Sequence, residues 1–191
     1  MTKSDLTEKR LRSRSVFDGK LLRVKVDEVQ LPDGAKATRE YVMHPGAVVM
    51  IAFLDERRLL LERQFRYPLG REFYELPAGK ISPGEDPLRT AERELKEETG
   101  YRAKSWSYVS TVHPCIGYSD ERLIYYLARD LTFEGERLDD GEFLETLVVE
   151  LGEALEWVRL GRITDGKSVA GLFWAEKIAR GEWPLPDSVS R

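Results

Sequence analysis

A single cysteine, Cys115, leaves this chain of 191 residues no intrachain disulfide. Its only two histidines, His44 and His113, have no metal-spaced partner, so each is read as a hydrogen-bonded structural residue. No apolar run reaches the length of a membrane span or of a signal h-region, so the cytoplasm is the expected location and a membrane is not an expected partner. Basic residues do not prevail either: 30 Lys and Arg stand against 34 Asp and Glu, a net charge of −4. There is no basic stripe interleaved with aromatics, which argues against nucleic acid as a partner. An anionic substrate would have to be met locally, because the overall field is mildly repulsive. Internal repeats and low-complexity segments are missing as well. What remains, with 41% hydrophobic residues, suits one proper core and some additional secondary structure.

Against these absences stands one dense stretch, residues 79–101. Gly79, Glu85, Arg93, Glu94, Leu95, Glu97, Glu98, Gly100 and Tyr101 follow the spacing G-x5-E-x7-R-E-U-x-E-E-x-G-U, where U is bulky and apolar. With Gly, Glu and Arg each at roughly a tenth of residues, the seven Gly and charged positions would coincide by accident on the order of once in 10⁵ chains of this length. Chance is therefore the weaker reading. The pattern predicts a helix with Asp86 as N-cap, Pro87 at the first helical position and Gly100 as the left-handed residue past its end. Leu88, Ala91 and Leu95 give that helix a stripe for the core. Glu94 and Glu98 share another face, and Glu97 lies next to them. Three carboxylates this close repel one another in water, an arrangement suited to a hard, oxygen-preferring divalent cation, Mg²⁺ or Mn²⁺. A solvated acidic face with Arg93, Lys96 and Arg102 as counter-charges is the bland alternative. Gly79 and Glu85 at fixed offsets upstream favour the metal.

Around this stretch the chain reads as strands and outer helices. Residues 1–15 are polar and of mixed charge, expected to be mobile or ordered by a partner subunit. Leu22, Val24 and Val26 alternate with charged residues, Pro32-Asp33-Gly34 marks a turn, and residues 38–43 complete a hairpin. The continuously apolar residues 47–53 predict a strand covered on both faces. Further strands are expected over 59–65, 72–76, 106–112, 123–128 and 143–149, the last approached by Asp139, Asp140, Glu142 and Glu145. Helices are expected over 153–160 and 167–180, the second capped by Asp165, stopped by Gly181, and turning Val169, Leu172, Phe173, Ile178 and Ala179 to the sheet. The fold class is α/β: an α/β/α sandwich around a mixed β-sheet with an N-terminal β-hairpin extension. Residues 1–45 form the tail and hairpin, and residues 46–185 the main domain. In the loop 113–121, Asp120 and Glu121 are candidates for a base that the metal does not neutralise.

The box at 79–101 resembles that of the Nudix hydrolase superfamily, and its surroundings resemble the ADP-ribose pyrophosphatase branch. The likeness extends over the chain after Val16. It rests on Arg39-Glu40-Tyr41, Ala47-Val48-Val49, Gln64-Phe65-Arg66, Glu75-Leu76-Pro77-Ala78-Gly79, Gly117-Tyr118-Ser119-Asp120-Glu121 and the helix start at Ile163-Thr164-Asp165. The resemblance implies that Ala78 (through its carbonyl), Glu94 and Glu98 bind Mg²⁺, with Glu85 and Glu97 as ligands or just outside them. Arg93 would orient these carboxylates, Arg66 would contact the phosphates, and Arg39 and Phe17 would serve the base pocket. Glu121 would deprotonate or orient the attacking water. It also implies a homodimer whose N-terminal hairpin reaches the partner's site. The implied reaction is Mg²⁺-dependent hydrolysis of a nucleoside diphosphate sugar, ADP-ribose first, to AMP and ribose 5-phosphate. GDP-mannose or another sugar nucleotide, a non-catalytic nucleotide-sugar-binding module, and RNA decapping are the alternatives. One departure bears on the substrate: Ile116 precedes Gly117 where the branch usually has proline.

Overall fold

Asp86, Pro87 and Gly100 bound helix α1 as their chemistry dictates. In the computed structural model of the chain, α1 runs Pro87–Thr99. The Asp86 carboxylate accepts hydrogen bonds from the Leu88 and Arg89 amides at 3.1 and 3.2 Å, satisfying two of the helix's orphan donors. Gly100 closes the other end at φ 73°, in the left-handed region. The structure describes residues 5–135, 138, 141, 143–184 and 187–189. Asp139, Asp140 and Glu142, part of the expected acidic approach, lie outside the described residues.

The chain divides into two compact units, residues 1–45 with 115–122, and residues 46–114 with 123–191. The first holds β1 (Lys9–Asp18), β2 (Arg23–Gln30) and β3 (Lys36–Met43) in one antiparallel sheet ordered β1-β2-β3. The expected hairpin is therefore a three-stranded sheet, and residues 9–15, expected to be mobile, are part of a strand. β1 is exposed throughout and carries no alternating apolar pattern that would mark it as a strand. Antiparallel pairing with the next strand, β2, orders it, with register shifts between Arg10 and Arg12 and between Ser15 and Phe17. Segment 115–122 joins this unit through the Val42 amide, which donates to the Tyr118 carbonyl at 2.8 Å.

The second unit holds β4 (Ala47–Ala52), β5 (Arg58–Arg66), β6 (Arg71–Glu75), β7 (Ala78–Lys80), β8 (Tyr101–Val112), β9 (Leu123–Phe133), β10 (Leu144–Glu150), α2 (Leu151–Arg159) and α3 (Gly166–Ala179). The expected mixed sheet is present, and a second, antiparallel sheet accompanies it. A four-stranded sheet is ordered β7-β4-β9-β8, mixed because β4 and β9 run parallel, and a three-stranded antiparallel sheet is ordered β10-β5-β6. β4 and β5 touch through the Phe53–Leu59 bridge, and β5 then pairs with β10 and β6 instead. β7 is an additional edge strand whose three residues, Ala-Gly-Lys, carry no periodicity to read.

β4 is fully buried and divides the core by alternation. Val49 and Ile51 pack with Leu59, Leu61, Tyr125, Leu172 and Ala175, the layer of α2 and α3. Val48 and Met50 pack with Leu60, Ala91, Leu95, Trp106 and Tyr126, the layer of α1. This is the expected sandwich, with helices on either side. On α3 the inward residues are Leu172 and Ala175, whereas Phe173, expected to face the sheet, is 48% exposed. Leu172→Ala should cost about 2–5 kcal/mol in urea unfolding. Phe173→Ala should stay within about 1 kcal/mol, and equal losses for the two would contradict this packing.

Candidate active site

Arg93 gathers the box carboxylates. Its Nε and Nη2 donate to Glu85 Oε1 and Oε2 at 3.1 and 3.0 Å, a two-point clasp. Its Nη1 donates to Glu97 Oε2 at 2.8 Å and lies 3.0 Å from Glu94 Oε1. The Arg93 hydrogen bonds hold the Glu85 carboxyl down at about 2. In return the Glu85 hydrogen bonds raise Arg93 above its ordinary value, so it is charged throughout the working range. Glu85 and Arg93 are separated by eight residues, and the α1 N-cap at Asp86 is what turns the preceding loop back far enough for them to meet.

Gly79 is required by Glu94. A Cβ placed on Gly79 would overlap the Glu94 carboxyl carbon and Cγ. The Glu94 side chain thus lies flat against the backbone of β7. The β7 carbonyls are set by register: Met50 N–H donates to Pro77 O at 2.9 Å and Ile81 N–H to Gly46 O at 3.1 Å. Alternation then places Ala78, opposite Val49, in a non-hydrogen-bonded pair, with its carbonyl directed away from β4. Glu98 is 7% exposed on α1, and the Thr146 hydroxyl of β10 donates to its carbonyl at 3.3 Å.

A second cluster surrounds Glu75. Arg66 Nε and Nη2 donate to its two oxygens at 2.8 and 2.7 Å, and Lys167 Nζ bonds both Glu75 and Asp165. Ser168 ties the cluster to β6 and α3, accepting from the Leu76 amide at 2.7 Å and donating to Asp165 Oδ2 at 2.6 Å. Burial alone would push Glu75 up, but the Arg66 hydrogen bonds and the Lys167 charge hold its carboxyl down at about 2. Arg66, expected at the phosphates, is therefore fixed by a buried carboxylate. Glu62 is the opposite case: burial pushes it up to about 8. Glu62 and Lys167 were not singled out from the sequence. Lys167 sits 92 residues from Glu75, and Glu62 stands in the middle of the expected strand 59–65 with no motif around it to mark it.

Glu121, Arg39 and Phe17 belong to the first unit. Asp120 Oδ1 accepts the His44 amide at 2.7 Å, whereas the Glu121 carboxyl lies 3.6 Å from His44 Nδ1 and is 26% exposed. Of the two acidic neighbours, Asp120 is thus committed to the backbone. Arg39 is clasped by Glu8, through Nε at 2.9 Å and through Nη2. Phe17 is largely exposed, its ring lying over Gly19. His113 is exposed.

The NUDIX domain family matches residues 43–170, and the nucleoside diphosphate sugar hydrolase N-terminal domain matches residues 8–42. The chain belongs to the Nudix family. It is 41% identical to an ADP-ribose pyrophosphatase of Bacillus subtilis (strain 168) over 90% of this chain and 94% of that one. It is 38% identical to a methanol dehydrogenase activator of Bacillus methanolicus, over 88% and 92% of the two chains. An ADP-ribose pyrophosphatase of Mycobacterium tuberculosis is 33% identical over 88% of this chain and 83% of its own. Among solved structures, an ADP compounds hydrolase superposes with a TM-score of 0.83 at 22% identity, covering 96% of this chain and all of that one, a likeness of fold.

The residues of this Nudix chain fit a divalent cation. Its donors are hard oxygens: the box carboxylates and an Ala78 carbonyl turned away from the ladder. Gly79 leaves room for the Glu94 carboxylate beside that carbonyl. Among the described residues no three acidic or histidine side chains already converge on one point, because Arg93 stands between Glu85, Glu94 and Glu97. The Gly79 contact yields a test. The side chain that would meet a new Cβ is a flexible one, so Gly79→Ala should fold with a melting temperature close to the parent's. Displacing Glu94, it should lower the hydrolysis rate by about 10²-fold, the scale of an ångström-sized misplacement. Parent-like turnover of that variant would contradict the placement of Glu94.

Proposed function

We propose that this Nudix chain hydrolyses the pyrophosphate of ADP-ribose to AMP and ribose 5-phosphate, with Mg²⁺ as cofactor and Mn²⁺ as substitute. The observation that carries this reading is the Arg93-centred set of box carboxylates in a chain so similar to ADP-ribose pyrophosphatases over nearly their full length. Glu94, Glu98 and the Ala78 carbonyl would hold the cation, with Glu85 and Glu97 beside them and Arg93 fixing their orientation. Bound there, a divalent cation neutralises the pyrophosphate charge and lowers the pKa of water. Arg66, fixed by Glu75, presents a guanidinium to the phosphates, and prior fixation spares the cost of ordering it at the moment of reaction. Glu121 takes the proton from the attacking water as that oxygen bonds to one phosphorus and the bridging oxygen leaves with the other phosphate. The single cysteine fits a reducing compartment, and the cytoplasm is the location we propose.

Ile116 beside Gly117 favours keeping a second substrate in view, another nucleoside diphosphate sugar such as GDP-mannose. A panel of ADP-ribose, GDP-mannose, NADH and diadenosine polyphosphates with Mg²⁺ separates them by released monophosphate. ADP-ribose should lead, and turnover of none of them would leave a binding module. For the base, Glu121→Gln should lower kcat by about 10²–10⁴-fold with KM nearly unchanged. Asp120→Asn should act through loop order and not selectively on kcat. A selective kcat loss in Asp120→Asn alone would transfer the role to Asp120.

Homodimer formation is the third element of the proposal. β1 is exposed along its whole length, and Leu11, Val16, Phe17, Leu21 and Leu22 are exposed large apolar residues on and beside it. A long unpaired edge with apolar side chains is what a second copy would cover. Arg39 and Phe17, on this sheet, would then serve the base pocket. Sedimentation at micromolar concentration should give a dimer, and a fully active monomer would contradict it.

A further inference from the structure

A pair of opposite charges closed on itself offers little to an anion, and Arg66 with Glu75 alone would be such a pair. Arg66 spends Nε and Nη2 on the two oxygens of Glu75, at 2.8 and 2.7 Å, and among the described residues its Nη1 makes no hydrogen bond. A second cation changes the balance. Lys167 Nζ bonds Oε2, the same Glu75 oxygen that Arg66 Nη2 reaches, so one carboxylate carries two positive partners. Asp165 also accepts from Lys167, at 2.8 Å, but its charge has other support. It caps α3, accepting from the Ser168 amide at 3.0 Å and the Ser168 hydroxyl at 2.6 Å, at the positive end of the helix.

The Lys167 side chain is not needed to hold α3 on the sheet. Ser168 makes that attachment, its Oγ accepting from the Leu76 amide at 2.7 Å. The Tyr125 hydroxyl donates to the Lys167 carbonyl at 2.8 Å, a contact that any residue at 167 would keep. Nor does Glu75 lack a counter-charge without it, since Arg66 already bonds both carboxylate oxygens. Withdrawing an ammonium from water costs free energy, and the Lys167 side chain is only 13% exposed. What Lys167 adds is charge. Arg66, Lys167 and Glu75 together are positive, and Arg66 is the one of the three at the surface, its side chain 44% exposed against 5% for Glu75, so the surplus acts there.

We propose that Lys167 is a positioning residue for the substrate's phosphates: by sharing Glu75 it leaves the Arg66 guanidinium attractive to a diphosphate, while Glu75 fixes the direction in which Arg66 points. The proposal rests on the reading of Arg66 given above, as the contact to the pyrophosphate. The ammonium charge of Lys167, and not its hydrogen bond, carries the effect. Because the pyrophosphate is already anionic before water attacks, the loss of that charge falls on substrate binding more than on the chemical step.

Steady-state hydrolysis of ADP-ribose with Mg²⁺ tests it. Lys167→Met removes the ammonium and keeps the length of the side chain, and Lys167→Gln keeps a donor without the charge. Both should raise KM by about 10-fold, the scale of one unit charge across a partly solvated distance, with kcat nearly unchanged. Each leaves Glu75 and Asp165 with one cation fewer and should melt earlier than the parent. Lys167→Met combined with Asp165→Asn removes one charge of each sign and keeps a helix cap. This double variant should melt close to the parent and still show the raised KM, which separates loss of charge from loss of fold. Parent-like KM in the double variant and in Lys167→Gln would overturn the proposal, as would a fall in kcat at unchanged KM. Arg66→Gln measured alongside distinguishes the two levels. If its KM also equals the parent's, the phosphate reading of Arg66 has failed. If it raises KM while Lys167→Met does not, Lys167 alone has been misassigned.

Discussion

One guanidinium holds the candidate site together. Arg93 stands among Glu85, Glu94 and Glu97, and without its charge three carboxylates on and beside one turn of helix would repel one another. Each contact links separate stretches of chain. The Glu85 clasp ties the loop before α1 to the helix, and Glu94 presses on the glycine of β7. The spacing of the box therefore translates into geometry position by position. Five intervening residues carry the chain from the edge strand to Glu85, and seven more bring Arg93 around to face it.

A chain of net charge −4 that handles an anionic substrate must concentrate cations where they act. Arg66 and Lys167 are brought together by Glu75, which is nearly buried and ionised. Glu75 thus serves two ends: it neutralises two cations enough to keep them side by side, and it fixes the direction of Arg66. The same site holds carboxyls pushed in opposite directions, Glu85 and Glu75 downward by their cationic partners and Glu62 upward by burial. That separation lets closely spaced acidic groups take different roles at one pH.

What could be read from the sequence was what is local. The α1 boundaries follow from Asp86, Pro87 and Gly100, and the doubly covered β4 from an unbroken apolar run. What could not be read lacks a local pattern or depends on partners distant in the chain. β1 is ordered by pairing with β2 and has no apolar rhythm of its own. β7 is too short to show a period, and the division into two sheets follows from which strand β5 chooses as neighbour. Phe173 follows the inward Leu172, and one step along a helix is enough to turn a side chain to solvent. Glu62 shows the limit most clearly, since its burial comes from lying between β6 and β10.

The central claim is cation-dependent attack of water on the pyrophosphate of ADP-ribose, and its most direct measurement is isotopic. Turnover in ¹⁸O-water with Mg²⁺, followed by mass spectrometry of the products, should place one labelled oxygen in the phosphate of either AMP or ribose 5-phosphate. The same mixture with EDTA should yield neither product, while the protein stays folded. Release of free ribose and ADP, or undiminished formation of AMP in EDTA, would contradict the account.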